Sequence, residues 1–66
     1  LSRKENLALH IKNLEFRENL VLTELTEAYS NYRFKVLSSE YKDIRKILEL
    51  LRLDFLKEFI SDSNQT

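Results

Sequence analysis

The sequence predicts an all-α fold, an antiparallel two-helix hairpin that packs into a larger helical bundle. Three observations predict it. The 66 residues contain no glycine and no proline; tight turns and strand bends draw on those residues, so few turns and long helices are expected. Apolar residues recur three or four apart: Leu22, Leu25, Tyr29, Tyr32 and Val36 in one series, Tyr41, Ile44, Leu48, Leu51 and Phe55 in another. That spacing puts each series on one face of a helix. Charged residues make up 33% of the chain, with five basic and five acidic residues up to Arg33 and six of each after it. Such mixing is the pattern of solvated helix faces.

The chain opens on Ser2-Arg3-Lys4-Glu5, the spacing of a capping box. In that box the Ser2 hydroxyl accepts from the Glu5 backbone N–H and the Glu5 carboxylate accepts from the Ser2 backbone N–H. A 4-3-4-3 series follows: Leu7, Ile11, Leu14, Glu18, Val21, Leu25, Ala28, Tyr32. With Leu22, Tyr29 and Val36, its apolar members fall within an arc of roughly 120° at about 100° per residue. Leu9, Phe16 and Leu20, and later Phe34, lie on the opposite side. One stripe is usual for a surface helix; two opposed stripes favour a helix sandwiched between neighbours, the alternative being that Leu9 and Phe16 are scattered exposed apolar residues. Glu18 sits in the main stripe, where it reads either as a side chain reaching out to water at the edge of a loose seam or as a register or partner-choice residue that needs a basic side chain from a partner. His10 falls on the border of that stripe and reads as a boundary residue.

Two places offer turn chemistry, Ser30-Asn31 and Ser38-Ser39. The helix dipole favours the second. A helix starting after Ser39 carries Glu40 and Asp43 in its first turn, and the one before it ends on Arg33 and Lys35. The long helix is therefore expected over about residues 3–37 and the second over about 40–60. A break at Ser30-Asn31 and a single continuous helix are the alternatives, since Phe34, Leu37, Tyr41 and Ile44 also run in heptad step. The second helix carries Tyr41, Ile44, Leu48, Leu51, Phe55 and Phe59 on its main stripe and Leu50, Leu53, Leu56 and Ile60 beside it. Asp43–Lys46, Glu49–Arg52, Asp54–Lys57 and Arg45–Glu49 are spaced for ion pairs along it. The last residues, 61–66, are polar and aperiodic, so residues 1–60 are expected to form the hairpin and 61–66 a disordered tail.

With that turn, Tyr32 meets Ile44, Tyr29 meets Leu48, Leu25 meets Leu51 and Leu22 meets Phe55. The segment before about Phe16 overhangs, and its apolar residues lack an intrachain partner. The expected partner interface is Leu7, Leu9, Ile11, Leu14, Phe16, Glu18 and Leu20 on the first helix, with Leu50, Leu53, Leu56, Phe59 and Ile60 on the second. Apolar surface of that extent marks an interaction site. A chain this short is marginal alone, and without cysteine it has no disulfide or thiolate metal site to staple it. Association with other helical subunits remains, a hetero-oligomer favoured over a homodimer.

No catalytic residue, metal site or cofactor is expected. No hydroxyl has a His–carboxylate neighbour, no cysteine nucleophile exists, and a phosphate loop needs glycine. Tyr29, Tyr32, Phe34 and Tyr41 read as core around the turn. The basic residues Lys42, Arg45, Lys46 and Arg52 are interspersed with Asp43 and Glu49, so no nucleic-acid partner is expected, and a small helical nucleic-acid-binding regulator stays as the lesser alternative beside a homodimeric four-helix bundle. No apolar run approaches the roughly 18 residues of a membrane span, and residues 1–10 lack a signal-peptide pattern. The missing initiator methionine predicts a fragment or a processed chain. Lack of cysteine is compatible with the cytoplasm.

Asn6-Leu7-Ala8 opening a long helix, Leu14 and Leu20 further along it, and Phe55-Leu56-Lys57-Glu58-Phe59 resemble the Mod(r) (modifier of rudimentary) subunit of the ESCRT-I endosomal sorting complex. The resemblance covers most of residues 5–60; the glycine-containing turn that these domains often use is missing. It implies a structural role in sorting ubiquitinated cargo at endosomes, obligate hetero-oligomerisation and no enzymatic activity, with the chain cytoplasmic and peripheral to the endosome.

Overall fold

The computed structural model describes residues 2–64. They form two helices, α1 (Arg3–Thr26) and α2 (Asn31–Asn64), folded antiparallel. The capping box forms: Ser2 Oγ accepts from the Glu5 N–H at 3.2 Å, and Glu5 Oε1 accepts from the Ser2 N–H at 3.4 Å.

The turn lies at residues 27–30, eight residues before the expected Ser38-Ser39 break, so α1 stops at Thr26 and α2 is the longer helix at 34 residues. Ser38 and Ser39 are helix interior. Ser30 caps α2: its Oγ accepts from the Arg33 N–H at 3.1 Å and its carbonyl from the Phe34 N–H at 3.0 Å. α1 ends by tightening. Glu27 N–H reaches the Glu24 carbonyl at 3.2 Å and Ala28 N–H the Leu25 carbonyl at 3.3 Å. These three-residue bonds satisfy terminal carbonyls without a left-handed residue, and no described residue has a positive φ. A turn of this kind has no need of glycine.

Packing outweighs the dipole here. The unfavourable charge at the α2 N-terminus is worth about 0.3–1 kcal/mol. Arg33 offsets it by reaching back to Glu24 in the last turn of α1, Nη2 to Oε2 3.5 Å. Continuing α2 upstream through the serines buries Leu37 to 4% exposure, a gain of about 1.5–3 kcal/mol for a full aliphatic side chain. Ser30→Ala is therefore expected to cost about 1 kcal/mol, while Ser39→Ala, in an exposed helix interior, changes stability by no more than a few tenths. Urea midpoints of the two variants decide between the break sites; equal midpoints, or the reverse order, would return the turn to Ser38-Ser39.

The core is thin. Val21, Leu37, Ile44 and Leu48 are buried, with Ile11, Leu14, Leu25, Ala28 and Tyr41 packed against them. The molecule measures 54 × 17 × 13 Å, the length of α2 by the width of two helices by the thickness of one. Its radius of gyration is 15.5 Å, against about 11 Å for a compact domain of this length. Each helix can cover one face only.

The expected tail is shorter than read. Ser61 to Asn64 continue α2, because they contain no residue that breaks a helix and cost only tenths of a kcal/mol each; Gln65 and Thr66 lie outside the described residues. The expected overhang is absent too. With the turn at 27–30 the arms match, and the start of α1 meets the end of α2: Arg3 Nε lies 2.7 Å from Glu58 Oε1, and Lys4 Nζ stands 4.9 Å from the centre of the Phe59 ring.

Candidate partner interface

The hairpin seam is a 4-3-4 series from each helix. On α2 it is Leu37, Tyr41, Ile44, Leu48, Leu51 and Phe55, all buried or half-buried; on α1 it is Leu7, Ile11, Leu14, Glu18, Val21, Leu25 and Ala28. Of the residues expected to pack within the hairpin, Leu25, Tyr41, Ile44, Leu48, Leu51 and Phe55 do so. Leu22, Tyr29, Tyr32 and Val36 do not. Tyr29 stands in the linker at 101% exposure and Tyr32 in the first turn of α2 at 80%, so the aromatic group expected as core is open to solvent except for Tyr41. Val36 is one residue out of phase, about 100° around the helix from Leu37, which takes the seam instead. The step from Leu37 through Tyr41, Ile44 and Leu48 crosses Ser38-Ser39 unbroken, and that continuity was the readable sign of a helix there.

Of the residues expected to face a partner, Leu9, Phe16, Leu20, Leu50, Leu53, Leu56, Phe59 and Ile60 are exposed. Leu7, Ile11, Leu14 and Glu18 are half-buried within the chain, because the matched arms carry α2 alongside them. Leu9, Phe16 and Leu20 fall within about 40° of one another on the side of α1 opposite the seam. Leu53, Leu56 and Ile60 fall within about 60° of one another on α2.

Charge is divided by residue type. Each of the five arginines bridges the two helices to a glutamate: Arg3 to Glu58, Arg17 to Glu40, Arg33 to Glu24, Arg45 to Glu18 and Arg52 to Glu15, at 2.7–3.5 Å. The pairs line both edges of the seam. Most are solvent-exposed and worth at most about 1 kcal/mol each, so they align the arms more than they stabilise them. Arg45 and Arg52, expected to pair along α2, reach across to α1. The basic group that Glu18 needs comes from its own chain: Arg45 Nη1 lies 3.5 Å from Glu18 Oε2, the Glu18 side chain being 15% exposed. Arg45 also donates to the Tyr41 hydroxyl at 3.2 Å. That hydrogen bond, followed by the charge interactions with Tyr41 and Glu18, holds its guanidinium above the ordinary value, so it stays charged wherever the hairpin folds. Glu18 is thus part of the seam, paired within its own chain.

An open groove of 690 Å³ runs along α2, lined by Lys42, Arg45, Lys46, Arg52, Leu53 and Leu56, with Glu49 among them. Asp43, expected to dilute these cations, does not line it. His10 is exposed on α1. Among the described residues no group of three or more His, Cys, Asp or Glu could hold a metal ion, and no helix is long and apolar enough to cross a membrane. Comparison with protein-family models, with curated proteins and with solved structures finds no match.

Proposed function

We propose that the chain is a non-enzymatic assembly element whose hairpin packs with helices of partner subunits in a hetero-oligomeric core. The observation that carries the reading is the imbalance of apolar surface. Among the described residues four hydrophobic side chains are buried, while fourteen large ones are exposed. The chain exposes 5516 Å², about 1,000 Å² more than a compact monomer of 8.0 kDa. A standard interface takes about 800 Å² from each partner, so the excess matches one full interface. Among them Leu9, Phe16 and Leu20 lie on the outer side of α1 and Leu50, Leu53 and Ile60 on the outer side of α2, as a hairpin in a bundle requires.

The resemblance to the Mod(r) subunit supplies the cellular setting of this reading: a structural part in sorting ubiquitinated cargo, peripheral to the endosomal membrane. Leu14 lies in the seam, and Leu20 and Leu56, also among the resembling residues, lie on the exposed faces.

Sedimentation equilibrium of the isolated chain, with far-UV circular dichroism on the same samples, tests the proposal. A weakly helical or polydisperse chain that becomes helical and monodisperse when co-expressed with the other ESCRT-I core helices is expected. A fully helical dimer of fixed stoichiometry would replace it with a homodimeric four-helix bundle, and a stable monomer would remove the assembly role.

A further inference from the structure

The two basic residue types of α2 have separate locations. Its arginines, Arg33, Arg45 and Arg52, are engaged with glutamates of α1. Its lysines, Lys35, Lys42, Lys46 and Lys57, are exposed and fall within about 60° of one another on the side of α2 away from α1. Lys42 and Lys46 line the groove. Among the described residues none of the four is seen in an ion pair, whereas Arg33, Arg45 and Arg52 each are. Leu53 and Ile60 share the arc, and Glu49 is the carboxylate at its edge. Lys35, Lys42, Lys46, Leu53, Lys57 and Ile60 follow one another at intervals of seven, four or three residues, the step of a helix-facing stripe.

We propose that this lysine–leucine stripe of α2 docks an acidic amphipathic helix of a partner subunit, whose glutamates meet the four lysines and whose leucines meet Leu53, Leu56 and Ile60. The inference rests on the reading of the chain as an assembly element and specifies the chemistry of one partner. Charge complementarity selects the occupant. An arc of ammonium groups with one carboxylate at its edge favours a surface of opposite sign and disfavours a neutral or basic one. A second copy of the chain is a poor match. Its glutamates Glu15, Glu18 and Glu24 are already paired with arginines, and Asp43 and Asp54 offer two carboxylates eleven residues apart against four lysines. A lipid surface is also a poor match. A helix lying on a membrane keeps hydrocarbon at the centre of its buried face and lysines at the margins, whereas here Lys46 and Lys57 lie between Leu53 and Leu50 around the helix, with Lys35 and Lys42 beside Leu53.

The probe is a fluorescein-labelled synthetic helix with leucines at heptad a and d positions and glutamates at e and g, titrated with the full chain and read by anisotropy. Binding that weakens as salt rises is expected. The double variant Lys42→Glu, Lys46→Glu should bind it at least about tenfold more weakly, with unchanged circular dichroism. A peptide with lysine in place of each glutamate should show the reverse preference, binding the variant better than the parent chain. That reversal separates recognition from misfolding. Equal binding of the glutamate peptide by parent and variant would overturn the inference. So would binding of the parent to phosphatidylserine vesicles without binding of the peptide, which would give the stripe to a membrane surface. If the peptide fails while the chain still sediments as a polydisperse species, the assembly reading survives and this partner does not. A stable monomer in sedimentation ends both.

Discussion

Leu48→Ala is expected to unfold the isolated hairpin. Leu48 is 0% exposed and sits in a core of four buried side chains, so the substitution opens a cavity that the neighbouring seam residues cannot close. Large-to-small changes at such sites cost about 2–5 kcal/mol. A single core in a chain of this size supplies no more than about 3–5 kcal/mol in total. The loss is therefore comparable with the whole stability, and the helical far-UV signal should largely disappear at room temperature. Leu50→Ala is the control. Leu50 is two residues away on the outer face at 60% exposure, and truncating it should move the urea midpoint by less than about 0.5 kcal/mol. If Leu50→Ala unfolds the chain and Leu48→Ala leaves it intact, α2 presents a different face to α1.

The second large effect concerns association. Changing Leu9, Phe16 and Leu20 together to glutamate should leave the hairpin folded, because all three are half or more exposed on the side of α1 away from the seam. The same change should abolish self-association of the isolated chain and weaken its incorporation into a heteromeric core by more than about tenfold, since a buried aromatic anchor such as Phe16 alone is worth about 2 kcal/mol in an interface. Sedimentation velocity and circular dichroism on parent and variant measure the two quantities separately. A variant that loses helix content instead would make Leu9, Phe16 and Leu20 part of the intrachain fold. One that associates as the parent does would leave α1's outer stripe without a role in assembly.

The placement of these substitutions depends on the turn, and the turn is where sequence and structure part. At Ser38-Ser39 the capping and dipole signals agreed: two capping-type residues, acids after them and bases before them, against a heptad step that ran through them. Each capping and dipole term is local and small. The competing term, burial of Leu37 against α1, depends on where the other helix lies and is larger. Moving the turn by eight residues turned Tyr29, Tyr32 and Val36 out to solvent and drew Leu7, Ile11 and Leu14 into the seam. Seven of the eight exposed residues of the expected interface, Phe59 on the seam stripe excepted, kept their character because they lie away from the seam whichever hairpin forms.

Glu18 and the arginines show the same division. A carboxylate on an apolar stripe must either reach water or meet a cation, and periodicity alone leaves both open. The cation, Arg45 at a separation of 27 residues, follows only from the register of the arms. Periodicity, the absence of glycine and proline and the mixed charge decide that the chain is helical, which faces are apolar and that more apolar surface exists than one hairpin can cover. Those properties belong to single helices and repeat every few residues. The site of the turn, the register and, on α2, the split between arginines that face inward and lysines that face outward depend on contacts between residues far apart in the chain. Their energies arise only when the two helices meet.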